Sequence, residues 1–229
     1  IRIGDWSSDV CSSDLKEVPM GKINSITKQT DNRYVNLYNV KATSVHNTPV
    51  NYFVSSRAKD VDSLKMVTHK NNPDGVIIYS IYGEKHDKVV LIRQYRYTLG
   101  DYIYEFPAGL VEPDENYHEG AIREMYEETG LKLDPIPVAE AYQKPYFTTV
   151  GMTDESCATV YGYASGEISS KAQEDTEEIE VILADREEVK RILKEENVAI
   201  MTAYMLMHFL EDKEPFGFLN KIRDRKSVV

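Results

Sequence analysis

Cysteine is almost missing from this chain of 229 residues: there are two, Cys11 and Cys157. Two thiols provide neither a disulfide framework nor a zinc-binding spacing, and a lone thiol outside the first 15 residues fits a reducing cytoplasm. Cys157 lies in an apolar, strand-like run with no histidine motif beside it, which speaks against a nucleophile. No apolar run reaches the length of a membrane helix, and no signal peptide is visible. Basic charge is also short. Lys plus Arg number 27 against 38 Asp plus Glu, a net charge of −11, and no basic stripe exists. That excludes nucleic-acid binding through phosphates as a leading class, while local arginines remain able to hold one small anion. Internal repeats and low-complexity linkers are absent.

What is present suffices for a core: 41% of the residues are hydrophobic. The length suggests one domain, or one with a small appendage. Residues 5–15, DWSSDVCSSDL, have no periodicity and resemble an in-frame translation of a sequencing-library adapter; the last six, DRKSVV, resemble the adapter of the other end. Segments 1–15 and 224–229 are therefore expected to pack poorly and carry no function, with Met20 a possible start. Residues 16–70 read as an N-terminal antiparallel sheet and 71–223 as the main domain. Strand-like alternation covers 34–45 and 50–57, with His46 to Pro49 as the turn, and 60–67 adds a short element. Further strands are expected at 76–82, 88–96, 102–106, 137–147, 156–164 and 179–184. A helical stretch is expected at 186–210, with Val189, Ile192, Leu193, then Ile200, Ala203, Tyr204, Met207 and Leu210 on its apolar stripe and its three methionines as core filler. Strands before, between and after two helices indicate a mixed α/β layered domain.

Residues 109–131, GLVEPDENYHEGAIREMYEETGL, carry the chemistry. The stretch reads as a helix with Asp114 as N-cap and Gly130 as left-handed C-cap. Positions three and four apart share a helix face, so Glu124, Glu127 and Glu128 crowd together while Ala121, Ile122 and Met125 point elsewhere. Such carboxylates repel one another until a divalent cation reverses the local charge, and all-oxygen donors favour Mg²⁺ or Mn²⁺.

The spacing G-x5-E-x7-R-E-U-x-E-E-x-G-U, with U aliphatic, is complete here and resembles the Nudix box. The resemblance implies an α/β Nudix fold: a mixed sheet sandwiched between helices, with a small N-terminal antiparallel sheet. It implies hydrolysis of a nucleoside diphosphate linked to another group. Within the superfamily the chain is most similar to the ADP-ribose pyrophosphatase subfamily, through Gln94-Tyr95-Arg96, Glu105-Phe106-Pro107-Ala108-Gly109, Pro145 fifteen residues past Gly130, and GMTDE at 151–155. Tyr146 also resembles the marker of the dinucleoside polyphosphate group. The resemblance implies Glu124 and Glu128 as main metal ligands, assisted by Glu127 and the carbonyl of Ala108, with Glu115 supporting through water or Arg123. Arg123 pairs with the box carboxylates. Arg57 and Arg96 are the substrate-binding candidates. The general base falls to Glu174 or Glu177 in the acidic loop, with Asp175 and Glu155 as further options. His118 sits off the carboxylate face. The implied partners are a nucleotide substrate and a second copy of the chain, paired through the N-terminal sheet, with no nucleic acid and no membrane. NADH or a dinucleoside polyphosphate is an alternative substrate; a sensor that binds ADP-ribose without cleaving it is a further alternative.

Overall fold

The computed structural model describes residues 21–173 and 178–222. Both adapter-like segments, and Met20, lie outside them. The chain divides into two compact units between Thr68 and His69.

The first unit is a three-stranded antiparallel sheet of β1 (Lys22–Lys28), β2 (Asn36–Thr43) and β3 (Pro49–Ser56), with β2 in the centre. The β2–β3 hairpin was legible in its two alternating runs. β1 was not, because KINSITK offers only two apolar residues. Asn47 takes a left-handed φ of 58° at the hairpin turn, a conformation asparagine tolerates better than most residues. Tyr38 is fully buried and its hydroxyl donates to the carbonyl of Ala58 at 2.6 Å. The short element expected at 60–67 is a single helical turn, α1 (Lys65–Thr68).

The second unit begins with β4 (Gly75–Tyr82), β5 (Lys88–Arg96), β6 (Asp101–Glu105) and β7 (Ala108–Leu110), followed by α2 (Tyr117–Thr129) and β8 (Lys132–Pro135). Then come α3 (Glu140–Gln143), β9 (Tyr146–Phe147), β10 (Ser156–Ser165), β11 (Ile179–Ala184), α4 (Arg186–Glu195), α5 (Ile200–Glu211) and a 3-10 turn at Gly217–Asn220. The sheet runs β11-β5-β4-β10-β8, with β6 beside β5, β7 beside β4 and β9 beside β10. β4 and β10 are parallel and the other pairs antiparallel, so the sheet is mixed.

Alternation along β4 builds two cores. Val76 and Ile78 pack with Ala121 and Met125 of α2. Tyr79 and Ile81, on the other face, pack with Val189 and Ile192 of α4 and Leu206 and Phe209 of α5. The sheet is thus sandwiched between helices, as the sequence led one to expect.

Two segments differ from the sequence reading. Residues 137–147 are not a strand. Pro137 has no N–H for a ladder, and the chain instead forms the one-turn α3 before the two-residue β9. The stretch 186–210 is two helices. Between them Asn197 and Ala199 bond Tyr104 of β6: the Tyr104 N–H donates to the Asn197 carbonyl at 2.9 Å, and the Ala199 N–H donates to the Tyr104 carbonyl at 3.1 Å. The stripe assigned to the second helix holds only in part: Leu210 packs against the core, as do Val189 and Ile192 of the first helix. Thr202, Leu206 and Phe209 are buried, whereas Ile200, Tyr204 and Met207 are exposed. Nearly every position of α5 is apolar, so periodicity alone could not choose its inward face.

The start of α2 is a third difference. Asn116, not Asp114, is the N-cap. Its side-chain oxygen accepts from the N–H groups of His118 and Glu119 at 3.0 and 3.1 Å, and Glu119 reaches back to the Asn116 N–H at 3.2 Å, completing a capping box. Asn116→Ala should destabilise the protein by about 1 kcal/mol, the usual worth of such a cap, while Asp114→Ala should change little. Urea unfolding of both variants checks this; equal losses would return the cap to Asp114.

Candidate active site

α2 closes with Gly130 at φ 74°, its N–H donating to the Tyr126 carbonyl at 2.8 Å. This left-handed residue ends the helix where glycine carries no steric penalty. The helix buries Ala121 and Met125 against the sheet, while Ile122 is exposed. Glu128 is also buried, only 4% exposed.

Glu124 and Glu128, one helical turn apart, reach adjacent residues of β7. A carboxylate oxygen of Glu128, Oε2, accepts from the Ala108 N–H at 3.0 Å. The Glu124 carboxylate lies over the α-carbon of Gly109 so closely that a β-carbon there would fall 1.9–2.2 Å from its atoms. A side chain at this position would displace the Glu124 carboxylate, which gives the first residue of the motif a physical reason.

Arg123 organises the remaining carboxylates. Its Nε donates to Glu115 Oε1 at 3.0 Å and its Nη2 to Glu115 Oε2 at 2.9 Å, a two-pronged pair. Nη1 donates to Glu124 Oε1 at 2.8 Å and to Glu127 Oε2 at 2.9 Å, and Nη2 also donates to the Leu110 carbonyl at 2.9 Å. A guanidinium has five N–H groups, and these five bonds occupy all of them. Arg123 therefore holds the site together and has no donor left for a ligand. The carboxylates around it raise its pKa, and Arg123 in turn holds the Glu115 carboxyl below its ordinary value of 4.5.

Four carboxylates, those of Glu115, Glu124, Glu127 and Glu128, thus gather about Arg123 and the start of β7. The donors are hard oxygens of the kind that bind Mg²⁺ or Mn²⁺, and the Gly109 cradle keeps Glu124 beside Glu128. Among the described residues, no three acidic, histidine or cysteine side chains already converge as a ligand set. Glu124 and Glu127 are turned to Arg123, and Glu128 is turned to the Ala108 N–H. The residues fit a hard divalent cation in kind and in charge, with Glu124, Glu127 and Glu128 as the groups that would hold it.

The remaining candidates fall in several places. Arg96, at the end of β5, donates from Nε to Glu105 Oε2 at 2.7 Å. Arg57 directly follows β3 in the first unit. Glu155 sits in the turn before β10, accepting from the Thr148 hydroxyl at 3.1 Å. Glu174, Asp175 and Glu177 lie outside the described residues. His118 meets Gln143 at 3.2 Å and stacks on Tyr117, away from the carboxylates. Sequence reasoning missed Gln173, whose amide donates to the Glu128 carbonyl at 2.6 Å and anchors the last turn of α2. It also missed Glu105 as the partner of Arg96. No spacing rule marks either, since both depend on which strands become neighbours.

A family model described as the NUDIX domain matches residues 71–205. The chain is 33% identical over 81 residues to the ADP-sugar pyrophosphatase of Mus musculus, covering 34% of this chain and 37% of the mouse protein, well under half the length of that relative. It is 25% identical over 144 residues to the ADP-ribose pyrophosphatase of Bacillus subtilis, covering 62% of this chain and 75% of that protein. Among solved structures, the crystal structure of an ADP compounds hydrolase superposes with a TM-score of 0.61 at 17% identity, covering 84% of this chain and 95% of that one. At that identity the likeness concerns the fold.

Because Arg123 depresses the pKa of Glu115, their pairing stabilises the folded state above the ordinary carboxylate value of 4.5, and that stability is lost as pH falls below it. Glu115→Gln should therefore be less stable than the parent chain at pH 7, with the difference shrinking towards pH 3. Thermal unfolding across that range measures it; a difference independent of pH would remove the ion pair as its cause.

Proposed function

The chain belongs to the NUDIX family, and from that membership and the carboxylates gathered on β7 we propose that it is a divalent-cation-dependent hydrolase of ADP-ribose or a related nucleoside diphosphate-sugar. The family membership is what the comparison gives; the hydrolase activity and its substrate are our inference. The observation that carries it is the meeting of Glu124 and Glu128 at Ala108 and Gly109, in a cluster of carboxylates whose hard oxygens suit a divalent cation that a diphosphate could share. The names of the mouse and Bacillus subtilis relatives, an ADP-sugar and an ADP-ribose pyrophosphatase, favour this substrate class over NADH or a dinucleoside polyphosphate.

In the proposed reaction water adds to one phosphorus and the bond from that phosphorus to the bridging oxygen breaks. ADP-ribose and water give AMP and ribose 5-phosphate, the water supplying the new P–OH and the proton that the two products share out. A bound Mg²⁺ or Mn²⁺ would acidify the water and offset charge on the phosphate oxygens. The chain's own part is positioning. Arg123 fixes the rotamers of Glu115, Glu124 and Glu127, and the Ala108 N–H fixes Glu128. Arg96 offers its guanidinium edge to phosphate, and Arg57 is a second candidate. Glu174 and Glu177 stay our candidates for the base that takes the proton from water, with Glu155 as the alternative.

Glu128→Gln keeps the shape and the acceptor for Ala108 but removes the charge. Turnover of ADP-ribose should fall by roughly two orders of magnitude, the scale of losing one group that stabilises a charged transition state, with the circular dichroism unchanged. Chelation with EDTA should abolish turnover, and added Mg²⁺ or Mn²⁺ should restore it. A panel of diphosphates with phosphatase-coupled detection reads both effects; near-parental activity in the variant would remove Glu128 from the metal set. Tight binding of ADP-ribose without product would favour a sensor.

We also propose that two chains pair through the first unit. On one face of its sheet Ile23, Val50 and Tyr52 are exposed alongside the buried Val40. Such a half-covered apolar face fits a second copy of the same sheet. Light scattering should give twice the 26.2 kDa chain mass, and Tyr52→Glu should return it to one chain. A monomeric parent chain at micromolar concentration sinks the pairing.

A further inference from the structure

Alternation along β5 sends Val90 to the α2 face of the sheet, and with it Ile92, Gln94 and Arg96. Residues directly opposite in an antiparallel pair share a face, so Glu105, opposite Ile92, and Ile103, opposite Gln94, point the same way. Arg96 itself stands opposite Asp101. To meet Glu105 at 2.7 Å its side chain must lie back along the strands, across the Gln94–Ile103 rung. That direction leads to Pro107 and Ala108, where Glu128 is anchored.

Gln94 lies under this crossing. It is only 7% exposed, and among the described residues its side-chain carbonyl oxygen has no hydrogen-bond partner. A buried acceptor without a donor is destabilising, whereas a half-exposed ion pair such as Arg96–Glu105 contributes little. Stability alone gives no reason to keep the arrangement. The strip also joins the carboxylate site from its other side. Gln94 stands opposite Ile179 of β11, and one amide nitrogen, that of Gln173, donates to the carbonyls of both Ile179 and Glu128. Arg96 engages only its Nε, so the fork of its two Nη groups takes no partner among the described residues.

We propose that Gln94, Arg96 and Glu105 form one substrate subsite, in which Glu105 positions Arg96 for a diphosphate oxygen and Gln94 accepts a hydrogen bond from a hydroxyl of the sugar beside that diphosphate. Glu105 is a positioning residue: it holds Nε and leaves the Nη fork without a partner among the described residues. Gln94 discriminates by chemistry. Its unpaired carbonyl rewards a ligand that brings a donor next to its phosphates, which every nucleoside diphosphate-sugar does. A small shift of the long Arg96 side chain admits that hydroxyl. The subsite rests on the substrate class proposed above and assigns two residues to it.

The test uses the whole chain with Mg²⁺, reading ADP-ribose turnover and, separately, calorimetric binding of the non-cleavable α,β-methylene analogue of ADP-ribose. Arg96→Ala and Glu105→Ala should each weaken analogue binding by roughly tenfold, the scale of one charge-assisted hydrogen bond, and the double variant should be no weaker than Arg96→Ala alone, because residues acting as a unit are not additive. Glu105→Gln, which keeps an acceptor for Nε, should recover part of the loss. Gln94→Met should raise KM by about fivefold with kcat nearly unchanged, and its Tm should hold or rise, since an unsatisfied group has been removed. Additive losses for Arg96 and Glu105, or a Gln94→Met variant that loses Tm and keeps its binding, would make the strip structural and overturn the subsite. If the parent chain binds the analogue but yields no product, hydrolysis of this substrate falls and the subsite stands. If it fails to bind the analogue yet cleaves another diphosphate, the substrate assignment falls, and the same variants on that compound decide the subsite.

Discussion

One guanidinium governs the geometry of this protein's active region. Arg123 spends all five of its N–H groups on Glu115, Glu124, Glu127 and the Leu110 carbonyl, tying the loop before α2, two successive turns of α2 and strand β7 to one planar group. Lysine could not replace it, because an ammonium cannot form the two-pronged pair with Glu115 while bridging two other carboxylates. One guanidinium bonds several carboxylates at once, so their rotamers are fixed in advance of any ligand. Pre-organised donors of this kind need little rearrangement when charge develops during reaction.

The sheet lets the site form at all. β7 has only three residues, yet it pairs with β4 in the middle of the sheet, so the backbone at Ala108 and Gly109 is as firmly held as the core. α2 is clamped over it by Ala121 and Met125 against Val76 and Ile78. Glu124 and Glu128 thus reach a fixed backbone from a fixed helix. The opposite face of β5 shows the contrast. There Arg93 lies over the Tyr102 ring at 3.9 Å, Tyr102 donates to Glu178 at 2.9 Å, and Tyr95 packs edge-on against Tyr102. That side links its polar groups to one another, whereas on the α2 side the Arg96 Nη groups and the Gln94 side-chain carbonyl take no partner among the described residues.

What could be read in advance follows from the range of each interaction. The box was legible because its chemistry sits on one helix and the loop before it, where spacing along the chain maps directly onto space. The reach of Glu124 to Gly109 could be inferred as a pattern, though its cause, a carboxylate filling the place of a β-carbon, needed coordinates. Asp114 and Asn116 are equally good caps by type, and only the backbone shows which precedes the first helical residue. The break between α4 and α5 was hidden because Asn197 and Ala199 leave the helix to bond Tyr104, a residue more than ninety positions earlier. The face of α5 was hidden for the opposite reason: too many apolar residues gave the pattern no contrast. Glu105 and Gln94 were in view as part of a family-like string, but their roles arise from strand register.

The two halves of the site follow opposite rules for polar groups, and the difference bears on how each evolved its sequence constraints. Around Arg123 every donor is matched and every rotamer fixed, so a substitution there loses several bonds together. In the Gln94–Arg96–Glu105 strip the pairing is partial, and a substitution could stabilise the free protein. A fold retains such an unsatisfied group when a ligand completes it, because binding then recovers hydrogen bonding that folding left unmade. The matched half holds its carboxylates rigidly, and in the proposed subsite the unmatched half is where a ligand with a hydroxyl beside its phosphates would recover a hydrogen bond.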